Sequence, residues 1–220
     1  MKKFIVFLAC VLSFVMAFGQ VPYFSSTPGD ANLYGYTSVK FRPGINAQET
    51  YTCFQYGLGK EFAVGTDLST GAGAANWGFL GRFGKVFSPY FGLGLQVTPS
   101  FALNDNFKFS HVTGAMYLNG NIGSDGHLCW VSNTWFELNR HGNTSITNWE
   151  YIGYSFNLPK GSITPMVGMT HDWKFKQDPD MAAGVYYSLG RWNFYVWGND
   201  FFKNHPRIVF GIDFKFYTKG

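Results

Sequence analysis

Residues 207–216 read RIVFGIDFKF. Every second side chain from Ile208 onward (Ile208, Phe210, Ile212, Phe214, Phe216) is large and apolar, and the intervening set is Arg207, Val209, Gly211, Asp213 and Lys215. A period of two describes a β-strand with one greasy and one wetter face. The fold turns on which face points inward. In a soluble protein the greasy face is the core; in a membrane barrel it is the outside.

The same alternation recurs upstream. In EFAVGTDLS (61–69), Phe62, Val64 and Leu68 oppose Glu61, Ala63, Gly65, Asp67 and Ser69. In YFGLGLQVT (90–98), Phe91, Leu93, Leu95 and Val97 oppose Gly92, Gly94, Gln96 and Thr98. No stretch of useful length has helical period. Strands are expected near 32–42, 48–58, 60–69, 75–86, 89–98, 107–119, 127–138, 146–157, 162–172, 181–188, 191–199 and 206–217, about twelve in all, with ten the alternative.

Connections differ in character at the two ends. Those after even strands are tight and rich in turn residues (GLGK, GSDG, LPKG, SLGR), whereas several after odd strands are longer and more polar (PSFALNDN, NRHGNTSITN, NDFFKNHP). Charged residues make up only 14% and aromatics reach 20%, against a usual charged share of about 25%. The non-greasy faces carry Ala63, Gly65, Gly92, Gly94 and Gly211, where a solvated sheet would carry Lys, Glu and Thr. Small residues suit a curved, crowded interior. Trp77, Trp130, Trp149, Tyr151, Trp173 and Trp192 stand near strand ends, as interfacial girdles would. The greasy face is therefore read as the outside of an all-β, antiparallel, up-and-down transmembrane barrel spanning 32–217.

The N-terminus MKKFIVFLACVLSFVMAFGQ has two lysines, an apolar run from Phe4 to Ala17, and small residues Ala17 and Gly19 before Gln20. This is the pattern of a secretory signal peptide over 1–19, cleaved after Gly19. The run falls short of the roughly 20 residues that span a bilayer as a helix. Residues 20–31 (QVPYFSSTPGDA) are an irregular periplasmic leader, or one folded into the barrel mouth. The remaining chain holds 15 basic and 13 acidic residues with no basic cluster, which argues against a nucleic-acid partner.

Together the signal peptide, alternating strands, turn asymmetry and aromatic-rich last strand resemble the small bacterial outer-membrane β-barrel proteins. The resemblance implies a location in the bacterial outer membrane, with its lipid and the barrel-insertion machinery as partners. It carries no substrate. Thr218, Lys219 and Gly220 follow Tyr217 where such proteins often end on an aromatic residue.

Twelve strands about 4.8 Å apart and tilted about 40° give a backbone diameter on the order of 24 Å, which leaves an aqueous lumen unless a loop or the leader plugs it. Cys53 and Cys129, on strands 2 and 7, then lie too far apart for a bridge, whose Cα atoms stand about 4.4–6.8 Å apart. By parity the lumen is lined by Lys40, Arg42, Gln55, Glu61 and Asp67 on the first three strands. Arg82, Gln96, Asn133 and Glu137 follow, then Glu150, Asp172, Arg191, Arg207, Asp213 and Lys215. Both signs are present, which suits charges that brace the wall or orient a small solute and argues against strong ion selectivity.

Enzymatic alternatives need a constellation. Outer-membrane phospholipases and lipid A deacylases carry His, any residue, then a nucleophilic Ser. NRHGNTSITN resembles this at His141, but Asn143 stands where the serine belongs and Ser145 is the nearest serine. His171–Asp172 resembles the partnership of omptin proteases, yet neighbours on a strand face opposite ways. Asp178 and Asp180 read as loop charge beside Lys174 and Lys176. Neither His171 nor His205 has metal-ligand spacing to another histidine or cysteine, and GAGAANWG joins two strands rather than opening a helix, so neither metal nor cofactor is expected. The expected function is a channel or binding pore for a small polar solute. A rim lipid hydrolase using His141, and a structural or adhesion barrel with a blocked lumen, are the alternatives.

Overall fold

A computed structural model describes residues 25–44, 47–172, 179–202 and 206–217. The proposed signal peptide and its cleavage site lie outside the described residues, as do Trp173, Asp178 and His205. The strands are β1 (Asn32–Arg42), β2 (Ala47–Gly57), β3 (Phe62–Gly71), β4 (Ala74–Ser88), β5 (Phe91–Ala102), β6 (Lys108–Ile122) and β7 (Leu128–Asn139). After them come β8 (Thr144–Tyr154), β9 (Phe156–Leu158), β10 (Gly161–Asp172), β11 (Asp180–Leu189), β12 (Trp192–Asn199) and β13 (Arg207–Tyr217).

Consecutive strands pair antiparallel, except that β8 pairs with β10 rather than β9, and β13 returns to β1 from Leu33↔Phe216 to Phe41↔Ile208, so the sheet closes on itself. Both β8 and β9 pair with β10 in one continuous register (Gly153↔Met166, Phe156↔Ile163). They are one stave interrupted at Ser155, whose side chain is buried and hydrogen-bonds Thr164 Oγ1 at 2.8 Å. The result is a closed twelve-stave barrel with an extra strand label on its eighth stave. Closure removes the unpaired edges that any open sheet exposes.

The alternating residues sort as a lipid-facing wall requires. Phe62 is 58% exposed, Val97 52% and Phe210 47%, while inward neighbours such as Ala63, Asp67 and Val209 are buried. Exposed large apolar side chains surround the whole barrel, far more than the few hundred Å² of contiguous patch a soluble monomer tolerates. At the long-loop end Trp77, Phe79, Phe101, Phe107 and Phe109 form a chain of ring contacts 5.1–6.2 Å apart. At the other end Phe87–Phe91 and Tyr154–Phe156 make similar pairs. These two belts match the interfacial girdles of membrane barrels. Trp77 and Trp192 belong to that outer surface, at 42% and 41% exposure.

Trp149 and Tyr151 do not. Their strand partners Asn133 and Val131 face inward, and so do they. Reading their strand as carrying a girdle inverts its parity. The same inversion corrects Glu150, which pairs laterally with Ser132 and Met169 on the outer surface and is exposed rather than luminal.

Candidate functional site

A cavity of about 460 Å³ lies in the half of the lumen toward the longer loops. Polar side chains such as Lys40, Ser69, Ser100, His111, Glu137 and Arg207 line it together with the rings of Tyr36, Tyr51, Tyr117, Trp135, Trp149, Tyr151, Tyr186, Tyr195 and Trp197. The rings touch in sequence. Trp135–Trp149 centroids lie 5.2 Å apart, Trp149–Tyr151 6.1 Å, Tyr151–Trp197 4.3 Å, Trp197–Tyr186 5.3 Å and Tyr186–Tyr195 5.2 Å.

This ladder crosses from β8 to β12 although β10 and β11 stand between them. It can do so because the intervening inward residues, Gly168, Ala182 and Gly184, are small. A Cβ on Gly184 would collide with the Trp197 ring, and one on Gly211 with the Tyr195 ring. Rings laid over inward glycines recover the packing that a glycine in a strand forfeits.

Polar groups are set among the rings. Tyr51 donates its hydroxyl proton to Asp67 Oδ2 at 2.7 Å, and Trp197 Nε1 donates to the Tyr186 hydroxyl at 2.9 Å. Asn133 is 1% exposed, and its Oδ1 has no hydrogen-bond partner among the described residues. A buried acceptor left this way costs about 1–3 kcal/mol unless a water or ligand donor meets it. Arg207 Nη2 and Lys40 Nζ both lie 3.9 Å from Glu49 Oε2. The charged lining residues are Lys40, Arg207, Asp67 and Glu137, two of each sign.

Of the residues predicted for the lumen, Lys40, Asp67, Gln96, Asn133, Glu137 and Arg207 come together around this cavity. Gln55, Arg82 and Asp213 face inward nearer the short-turn end and are buried. Arg82 Nη1 donates to Gln96 Oε1 at 3.1 Å and its guanidinium stands 4.6 Å from the Tyr117 ring centroid. Arg42 pairs with Asp200 at 2.8 Å at the long-loop rim, and Glu61 with Lys85 at 2.6 Å at the opposite rim. Asp172 and Lys215 take inward register positions, opposite Thr147 and Tyr34. Arg191 sits in the β11–β12 turn, where its carbonyl accepts from the Lys215 amide. Asp180 is not loop charge: it begins β11, buried, opposite Thr170.

His141 is exposed in the β7–β8 turn, and its Nε2 accepts a hydrogen bond from Arg140 Nε at 3.2 Å. His171 and Asp172 both lie within β10 and therefore face opposite sides of the wall. Among the described residues no group of three His, Cys, Asp or Glu side chains is placed to hold a metal. Cys53 and Cys129 are free and buried.

The charges of the lining stand out in the sequence more plainly than its rings. Parity does mark the rings: Tyr34 and Tyr36 share the parity of Ser38 and Lys40, opposite Leu33, Val39 and Phe41. An aromatic residue on a membrane strand suits an outer girdle as well as a lumen, so only parity separates the two.

No protein-family model matches the chain, and no curated protein is significantly similar in sequence. Solved structures are. The KdgM porin superposes with a TM-score of 0.60 at 11% identity, covering 84% of this chain and 99% of that one. The fold is that of a small outer-membrane β-barrel. KdgM in complex with disordered oligogalacturonate gives 0.62 at 12% identity, again over 84% and 99%. The NanC porin gives 0.55 at 10% identity over 83% and 100%. At such identities the likeness is one of fold, and a porin's solute is set by the side chains in its bore.

Proposed function

We propose that this chain is an outer-membrane channel that binds and passes a small polar solute. The aromatic cup further favours a neutral, saccharide-like solute. One observation carries that choice: a ladder of tyrosine and tryptophan rings lines the cavity around an unsatisfied buried amide oxygen. Sugar rings present apolar C–H faces that stack on aromatic rings and hydroxyl edges that donate hydrogen bonds, the pair of features this lining complements. The KdgM complex contains oligogalacturonate, a polyanion; here the cavity's charges balance, which favours a neutral solute over a strongly charged one. Export through the signal peptide, insertion by the barrel-assembly machinery and contact with outer-membrane lipid complete the reading.

The test is single-channel recording of refolded protein in a planar bilayer, titrated with neutral and acidic oligosaccharides. Neutral sugars should block current in a saturable way. Replacing Trp149 or Tyr151 by Ala should weaken block by about two- to tenfold, since one ring contact is worth about 0.5–1.5 kcal/mol. An intact barrel with no conductance and no sugar-dependent change in tryptophan fluorescence would overturn the reading.

A further inference from the structure

The described residues before β1 are not a loose leader. Ser25, Thr27 and Pro28 are buried, although they belong to no strand. The segment lies against the inner wall of β2, β4 and β5 at the short-turn end. Three inward glycines make room for it. A Cβ on Gly84 would come within 2.8 Å of the Ser26 carbonyl carbon and 2.9 Å of the Ser25 oxygen. One on Gly92 would lie 2.8 Å from Ser25 Cβ, and one on Gly57 would collide with the Gly29 carbonyl.

Polar contacts hold the segment in that groove. Arg82 Nε donates to the Ser26 carbonyl at 3.1 Å, Thr27 Oγ1 donates to the Lys60 carbonyl at 2.9 Å, and the Ala31 amide donates to the Gly57 carbonyl at 3.0 Å. Arg82 is the junction. The same guanidinium reaches Gln96 and Tyr117, which belong to the cup above. A barrel that only needed its bore filled would place bulky side chains at 57, 84 and 92. Here those positions are vacated and the backbone of another segment occupies them.

We propose that residues 25–29 are a built-in plug that narrows the inner mouth of the pore and is latched to the cup by Arg82. A short segment tied to the wall by the Arg82 and Lys60 contacts and to the start of β1 by Asn32, with a few buried small residues, has a local opening free energy far below that of the barrel, so it can leave without the wall unfolding. Solute in the cup touches Gln96 and Tyr117 and thereby competes for the contacts of Arg82.

The test uses the protein refolded from Gln20 onward, in a Cys53→Ala, Cys129→Ala background. Ser25→Cys/Gly92→Cys places two thiols where their Cβ atoms need shift by only about 1 Å to reach disulfide separation. Oxidation should hold the pore at its low level, and reduction should restore the fluctuating level of the background. A chain starting at Asp30, or one carrying Gly84→Val and Gly92→Val to expel the segment, should conduct roughly twofold more or better, as the bore widens. A single Ser26→Cys in the same cysteine-free background should be labelled slowly by a water-soluble maleimide, and rapidly with the two valines present. Heat-modifiable gel mobility confirms that each variant is a folded barrel. Equal conductance in the full and shortened chains overturns the plug while leaving the channel standing. Silence of both overturns the plug and the channel together.

Discussion

At the scale of the residue, Glu150 is the side chain most at odds with its surroundings. It stands on the outer wall beside Met169, itself 47% exposed, with Ser132 as its other lateral neighbour. A carboxyl facing hydrocarbon is destabilising, though by less than a lysine or arginine would be. Glu150→Leu is therefore expected to raise the barrel's unfolding free energy in lipid by about 1 kcal/mol or more. Urea titration in vesicles followed by tryptophan fluorescence would measure it. An unchanged or lower midpoint would mean that this surface is not bathed in lipid. The side on which Glu150 lies is hidden in the sequence. In ITNWEYIGY (146–154) the larger aromatics alternate with isoleucine, asparagine and glutamate, so both parities look half-greasy. Strand pairing with Asn133 and Val131 decides it.

At the scale of the element, the outer loops are tied together by charge. Asp105, between β5 and β6, accepts from Arg140 Nη1 at 2.6 Å and from Lys108 Nζ at 3.1 Å. The Arg140 amide also donates to the Ser110 carbonyl at 2.8 Å, binding the β7–β8 turn to the start of β6. Hydrogen bonds from Arg140 and then Lys108 hold the Asp105 carboxyl below the usual aspartate range. A carboxyl with a depressed folded pKa lends its stabilisation above the unfolded value of about 3.9 and loses it as pH falls through the folded value. Protease nicking of the β5–β6 loop should therefore stay slow from neutral pH down to about 4 and accelerate below that. Arg140→Gln should raise nicking at neutral pH and flatten its response to acid. A loop equally resistant at every pH, with or without Arg140, would show that the clasp contributes nothing.

At the scale of the whole molecule, the lining charges predict how ions pass. With Lys40 and Arg207 facing Asp67 and Glu137, the cup presents no ring of one sign. The reversal potential in a salt gradient should stay within a few millivolts of zero, and Glu137→Gln should tilt it toward anions. A strongly cation- or anion-selective pore would mean that charges outside the cup control entry. The membrane assignment has its own check, because carbonate washing should leave the protein in the membrane fraction while detergent releases it.

Fold class, stave count and the outward face of most staves, though not of β8, were legible in the sequence, because a period of two is a local property that lipid demands of a membrane-facing strand. Where one parity is plainly greasier, as around Lys40, Asp67, Gln96 and Arg207, the alternation puts these polar side chains on the side where the cavity lies. Contacts between distant strands were not legible. That Trp197 reaches Tyr151 across Gly184 and Gly168, and that residues 25–29 lie on Gly57, Gly84 and Gly92, depends on closure bringing together residues far apart in the chain. A one-dimensional alternation states which side a residue faces; only the closed, twisted sheet decides what it meets there.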